Sequence, residues 1–77
     1  MYKDLVFKVV ENGIIGVVGG MSNKGMYDVC FYENGSLYFR ADVCEEIITD
    51  NLKYGVYEVL EQGRWLYVHN SIIWFRW

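Results

Sequence analysis

His69 is the only histidine of the chain, and Cys30 and Cys44 are its only thiols. Acid–base, nucleophilic and zinc chemistry would all have to be built on these three positions. A general acid–base pair at His69 needs a carboxylate within hydrogen-bond reach. The residues that follow it, Asn70 and Ser71, are turn formers. Cys44 stands near the start of an expected helix, where the helix dipole would favour a thiolate, but the apolar positions around it favour a buried thiol. A zinc site would have to gather Cys30, Cys44 and His69 with a fourth ligand, and the chain has no Cys-x-x-Cys or His-x-x-x-His spacing. The expectation is a protein that is not an enzyme and has no catalytic residues, resident metal or cofactor, with both cysteines reduced.

The segment Gly20-Met21-Ser22-Asn23-Lys24-Gly25 has the composition of a phosphate-binding loop but not its order. Its lysine precedes the second glycine, and no Ser or Thr follows to hold magnesium. It is expected to be a mobile connector, with a small anionic ligand as the secondary possibility.

Three turn cassettes set the frame that positions these residues: Glu11-Asn12-Gly13, Glu33-Asn34-Gly35 and Glu61-Gln62-Gly63, each flanked by alternating apolar residues. Asn and Gly accept the positive φ angles of a two-residue type I′ turn, so each cassette reads as a hairpin tip. In the first hairpin Phe7 would face Val18 and Lys8 would face Val17. Leu5, Phe7, Val9, Ile14 and Val18 then share one face, and Val6, Val10, Ile15 and Val17 the other. With both faces apolar, this hairpin is expected to be central in the sheet or covered on both sides. Gly16, Gly19 and Gly20 mark places where a side chain approaches closely or the strand bends.

In the second hairpin Tyr32 would face Leu37, Cys30 would face Phe39 and Asp28 would face Ala41. Met26, Cys30, Tyr32, Leu37, Phe39 and Ala41 then read as core, and Tyr27, Phe31, Tyr38 and Arg40 as an aromatic reverse face carrying one cation. From Asp42 the apolar period becomes helical through Cys44, Ile47, Ile48 and Leu52. Asp42 and Glu45 resemble a capping box, Lys53 suits the last turn, and Gly55 suits a left-handed cap, predicting a helix over 43–53. A three-stranded meander follows. In it His69 would face Ile72 and Tyr67 would face Trp74, with Asn70-Ser71 as the turn.

The predicted fold is therefore α+β, predominantly β. It consists of antiparallel hairpins in the order ββ-ββ-α-βββ, forming a strongly bent sheet or a small partly open barrel with one short helix. Without proline, linker or low-complexity run, residues 1–77 read as a single domain. A chain of 77 residues that is 53% hydrophobic and 18% aromatic has more large apolar side chains than so small an interior can hide. Homo-oligomerisation is the expected outlet. A net charge of −3 with seven scattered Lys and Arg argues against nucleic acid as a partner. Met1-Tyr2-Lys3-Asp4 lacks an apolar signal region, and no stretch approaches the roughly 20 residues of a membrane span. A cytoplasmic location with no membrane partner is expected.

Function then falls to surfaces. The leading candidate is the mixed face of Glu58, Trp65, Tyr67, His69, Trp74 and Arg76, because Trp, Tyr and Arg dominate binding hot spots. The second is Tyr27, Phe31, Tyr38 and Arg40, which is similar in type to a stacking platform but has acidic neighbours. The third is an acidic patch of Asp42, Glu45, Glu46 and Asp50 on the helix. Together they predict a small acidic protein acting by protein–protein interaction on an unknown partner. By association of size and acidity it would be an inhibitor of a larger complex, of the phage, mobile-element or host-defence-blocking type. The alternative is an oligomer that binds a small anionic molecule such as a nucleotide, using aromatic and Arg sites at subunit boundaries.

Overall fold

The computed structural model describes residues 2–61, 67–68 and 71–72. Its strands are β1 (Val6–Val9), β2 (Ile15–Met21), β3 (Met26–Glu33), β4 (Ser36–Cys44) and β5 (Tyr57–Glu61), with one helix, α1 (Glu45–Lys53), between β4 and β5. Two short strands follow, β6 (Tyr67–Val68) and β7 (Ser71–Ile72). The first five strands form one antiparallel sheet in the order β4-β3-β2-β1-β5, and β6 pairs with β7. The fold is α+β and predominantly β, as the hairpin and helix signals predict, and the sheet is open rather than closed into a barrel.

β1 and β2 lie inside the sheet and are buried on both faces, as their double apolar pattern requires. On one face Leu5, Phe7, Ile14 and Val18 join Tyr27, Val29, Phe31 and Ile48 in the main core beneath α1. On the other, Val6, Ile15 and Val17 form a smaller cluster with Tyr32 and Leu60 packed against it.

The register of this pair differs from that of a two-residue turn. Phe7 lies opposite Gly16 and Lys8 opposite Ile15, two positions from the expected pairing. The chain turns through a four-residue loop, Val10 to Gly13. In it the Val9 N–H donates to the Ile14 carbonyl (2.7 Å) and the Gly13 N–H to the Val9 carbonyl (2.7 Å). The Asn12 side-chain oxygen accepts from the Ile14 N–H at 3.0 Å, and only Gly13 has a positive φ. A slip of two residues keeps every side chain on its face, because the strand period is two. The assigned faces therefore survive, except that Val10 leaves the strand and is exposed.

Glu33-Asn34-Gly35 forms the expected type I′ turn, with positive φ at both Asn34 and Gly35 and Glu33 opposite Ser36. Beyond Tyr32–Leu37 the register shifts by one: Phe31 faces Phe39, Cys30 faces Arg40, and Tyr38 is the extra residue of a β-bulge. A one-residue shift reverses the faces of the rest of β4. Tyr27 and Phe31 are buried in the main core and do not form an outer aromatic face. Met26, Cys30 and Tyr32 are half-buried and alternate with the core positions of β3.

The glycine segment is a third hairpin connection rather than a loose connector. The Ser22 N–H donates to the Met26 carbonyl (2.7 Å), and the Ser22 hydroxyl accepts from the N–H groups of Lys24 (3.2 Å) and Met26 (3.3 Å). Gly25 supplies the positive φ, and the register irregularity at Gly19-Gly20 bends β2.

α1 starts two residues later than expected. Val43 and Cys44 still pair with Tyr27 and Met26, which places Asp42 on a strand where it cannot cap. The N-cap is Cys44, with no side-chain cap hydrogen bond. At the other end the expectation holds: Gly55 is left-handed, and the N–H groups of Gly55 and Val56 donate to the carbonyls of Leu52 (3.4 Å) and Asn51 (2.9 Å). Ile48 is buried against the sheet, while Ile47 remains half exposed.

The Gly16 position sets a stability test. A Cβ on Gly16 would overlap the Phe7 ring, whereas one on Gly20 meets nothing within 4 Å. Gly16→Ala should lose about 1–3 kcal/mol in urea unfolding, the usual range for overpacking a core. Gly20→Ala should stay within about 0.5 kcal/mol of the parent. Equal midpoints for the two variants would contradict this packing.

Candidate functional surface

β4 is the longest described strand and one of the two edges of the five-stranded sheet, so among the described residues one side of its backbone has no strand neighbour. Its first half exposes three large apolar side chains in succession: Leu37 (54%), Tyr38 (59%) and Phe39 (45%). Edge strands of monomers are normally kept short or charged, because an unpaired backbone edge recruits other strands. Here the bulge at Tyr38 breaks the alternation, so three consecutive residues are left largely uncovered.

These side chains are continuous with the core. Tyr38 meets Phe39 edge-on at 5.2 Å, Phe39 stacks on Phe31 at 4.5 Å, Phe31 meets Phe7 edge-on at 5.9 Å, and Phe7 stacks on Tyr57 at 4.0 Å. A row of rings thus crosses the sheet from β4 to β5. It gives the exposed aromatics a rigid base, which lowers the entropic cost of presenting them to a partner. Tyr27 is held separately: its hydroxyl accepts from the Tyr2 N–H (3.0 Å), and the Tyr2 hydroxyl bonds Thr49 Oγ1 (2.7 Å) on α1.

The second half of β4 carries charge on the face turned away from the main core. Arg40 donates to Asp28 Oδ2 at 2.8 Å, and Asp28 lies directly across from Asp42. Asp28, Arg40, Ala41 and Asp42 line an open depression of about 320 Å³. The hydrogen bond from Arg40 to Asp28, reinforced by the carboxylate's charge, holds the guanidinium pKa above its ordinary value. Cys30, beside this group, is raised chiefly by burial and then by Asp28. That keeps it a thiol near neutral pH.

Of the predicted surface residues, Tyr38 and Arg40 are exposed on β4. The acidic residues are split: Asp42 is on the strand beside Arg40, while Glu45, Glu46 and Asp50 are on α1, with Glu46 and Asp50 exposed. Glu58 is exposed and paired with Lys8 at 3.2 Å. Trp65, His69, Trp74 and Arg76 lie outside the described residues, as does the Gln62-Gly63 turn. Tyr67 belongs to β6, where it pairs with Ile72, two positions from the expected register. Leu37, Phe39 and Asp28 are the surface residues that the sequence pattern assigned elsewhere. The sequence carries no signal for this: Leu37, Phe39, Ala41 and Val43 keep one unbroken period of two, and the shift shows only in the pairing with β3.

Among the described residues no group of three or more His, Cys, Asp and Glu side chains is placed to hold a metal ion, and no helix is long and apolar enough to cross a membrane. No protein-family model, curated protein or solved structure matches the chain.

The raised groups give a signed pH dependence. Burial lifts both Cys30 and Tyr57 above their ordinary values of 9.0 and 10.0. Each neutral form is favoured by folding, so its contribution is full below the unfolded pKa and is lost as pH rises through the folded one. The urea midpoint should therefore fall from pH near 9 upward, and Tyr57→Phe should flatten the part of the decline above about pH 10. A midpoint unchanged up to pH 11 in the parent chain would contradict this.

Proposed function

We propose that this chain is a non-enzymatic binding protein that acts through protein–protein contact, with the β4 edge and Leu37, Tyr38 and Phe39 as its contact surface. The observation that carries this proposal is the exposure of three adjacent large apolar side chains on a strand at the edge of the five-stranded sheet. Aromatic anchors on a rigid base beside an open backbone edge are what strand-addition and hot-spot recognition use. An adaptor or inhibitor docking on a larger complex in the cytoplasm, of the mobile-element or host-defence-blocking kind, fits such a surface. The exposed Glu46 and Asp50 on α1 would favour a partner with basic character.

The alternative, capture of a small anionic molecule, gains nothing from Arg40. Its guanidinium is engaged by Asp28, and Asp42 adds a second carboxylate to the same depression.

The double variant Leu37→Ser/Tyr38→Ser tests the surface. Burying such side chains is worth roughly 1.5–3 kcal/mol each. Affinity for a partner recovered from the native host should therefore fall at least tenfold, with unchanged circular dichroism. Ile47→Ser, on the exposed side of α1, serves as the control and should leave capture intact. Equal capture by all three proteins would overturn the assignment.

A further inference from the structure

β4 is chemically self-complementary about Ala41. Reading outward in both directions, Arg40 is matched by Asp42, then Phe39 by Val43. If a second copy of the strand runs antiparallel with Ala41 opposite Ala41, Arg40 falls opposite the partner's Asp42, and Phe39 opposite the partner's Val43. Each pairing occurs twice by symmetry.

The faces agree with this arrangement. Ala41 and Val43 pack against the main core, and Phe39 stacks on Phe31 of that core. Arg40 bonds Asp28 on the opposite face. A two-fold axis perpendicular to the sheet preserves faces, so apolar residues meet apolar ones beneath α1 and charges meet opposite charges on the other side. Within one chain the charges are unbalanced: Asp28 and Asp42 lie directly opposite each other, a repulsive cross-strand pair, and Arg40 bonds Asp28. Among the described ion pairs none involves Asp42. The Arg40 of a second copy would stand across from it.

We infer that the β4 edge is the seat of a symmetric homodimer, in which two copies pair antiparallel about Ala41 and join their sheets into one, with the order β5-β1-β2-β3-β4 continued in reverse through the second copy. This rests on the reading of β4 as a protein-binding edge and names its occupant as the chain itself. The bulge at Tyr38 marks the end of the paired segment. Leu37 and Tyr38 of each copy are left at the two ends of the dimer seam, accessible to a further partner.

Charge variants test the pairing. Arg40→Asp and Asp42→Arg each place like charges across the seam, and each should sediment as a monomer at a concentration where the parent chain is a dimer. Mixed in equal amounts, the two variants restore both opposite-charge pairs, and the dimer mass should return. The double variant Arg40→Asp/Asp42→Arg should also dimerise. Circular dichroism of each variant separates loss of pairing from loss of fold. In a Cys30→Ser/Cys44→Ser background, Ala41→Cys should form an intermolecular disulfide under mild oxidation, because residues facing across antiparallel strands lie roughly 4.5–5.5 Å apart at Cα. Phe39→Cys should not. A parent chain that is monomeric at about 100 μM, or a dimer whose mass neither charge variant changes, overturns the inference. Either result leaves the contact role of Leu37 and Tyr38 to be judged by partner capture alone, so the two readings fail separately.

Discussion

The seat of Phe7 over Gly16 is the contact on which the rest of the sheet depends. A side chain at Gly16 would occupy the space of the ring, so the pairing that places these two residues opposite each other is the one that lets Phe7 lie flat in the core. From that position Phe7 stacks on Tyr57 of β5 and meets Phe31 of β3, touching strands on both sides of the β1–β2 pair. A ring shared among three strands ties sheet order, register and core packing into one event. It also explains why Asn12-Gly13 does not form a two-residue turn: the tighter turn would bring Val18 opposite Phe7 and lose the hollow. Local turn preference is worth about a kcal/mol or less, whereas misplacing a buried aromatic forfeits several.

The bulge at Tyr38 has the opposite character, because it releases apolar surface instead of burying it. By inserting one residue it turns Ala41 and Val43 toward the main core and Arg40 and Asp42 to the other side. It leaves Leu37, Tyr38 and Phe39 uncovered at the sheet edge. The burial of Tyr27 and Phe31 has a different origin: β3 pairs with β2 so that Phe31 lies opposite Gly16 and Val29 opposite Val18, on the face of the main core. One irregularity thus separates an apolar contact surface from a self-complementary charged segment within a single strand.

Much of the fold was legible in the residues. The Asn34-Gly35 turn, the double burial of β1 and β2, the left-handed Gly55 cap and the buried Ile48 follow from local chemistry and periodicity. What was not legible is what a neighbour imposes. Cross-strand pairing through Val43 and Cys44 kept Asp42 extended against its capping preference. The Ser22 hydroxyl organised a glycine-rich segment into a hairpin turn. The face of β3 that became core was decided by its pairing with β2, which sets Phe31 opposite Gly16 on the side that Phe7 occupies.

The sequence by itself therefore determined the antiparallel, mostly β character of this protein, the short helix that follows its fourth strand and the two-sided burial of its first hairpin. Those properties arise from φ preferences and from a side-chain period of two, both of which act over a few residues. The tertiary structure alone decided sheet order, the position of β4 at an edge, the pairing with β2 that sends Tyr27 and Phe31 inward, and the one-residue shift on β4 that leaves Leu37 and Tyr38 outside. These depend on how rings from four separated segments of chain fill one volume. A face reversal follows from a single inserted residue, and only the packing of the neighbouring strands selects where that residue goes.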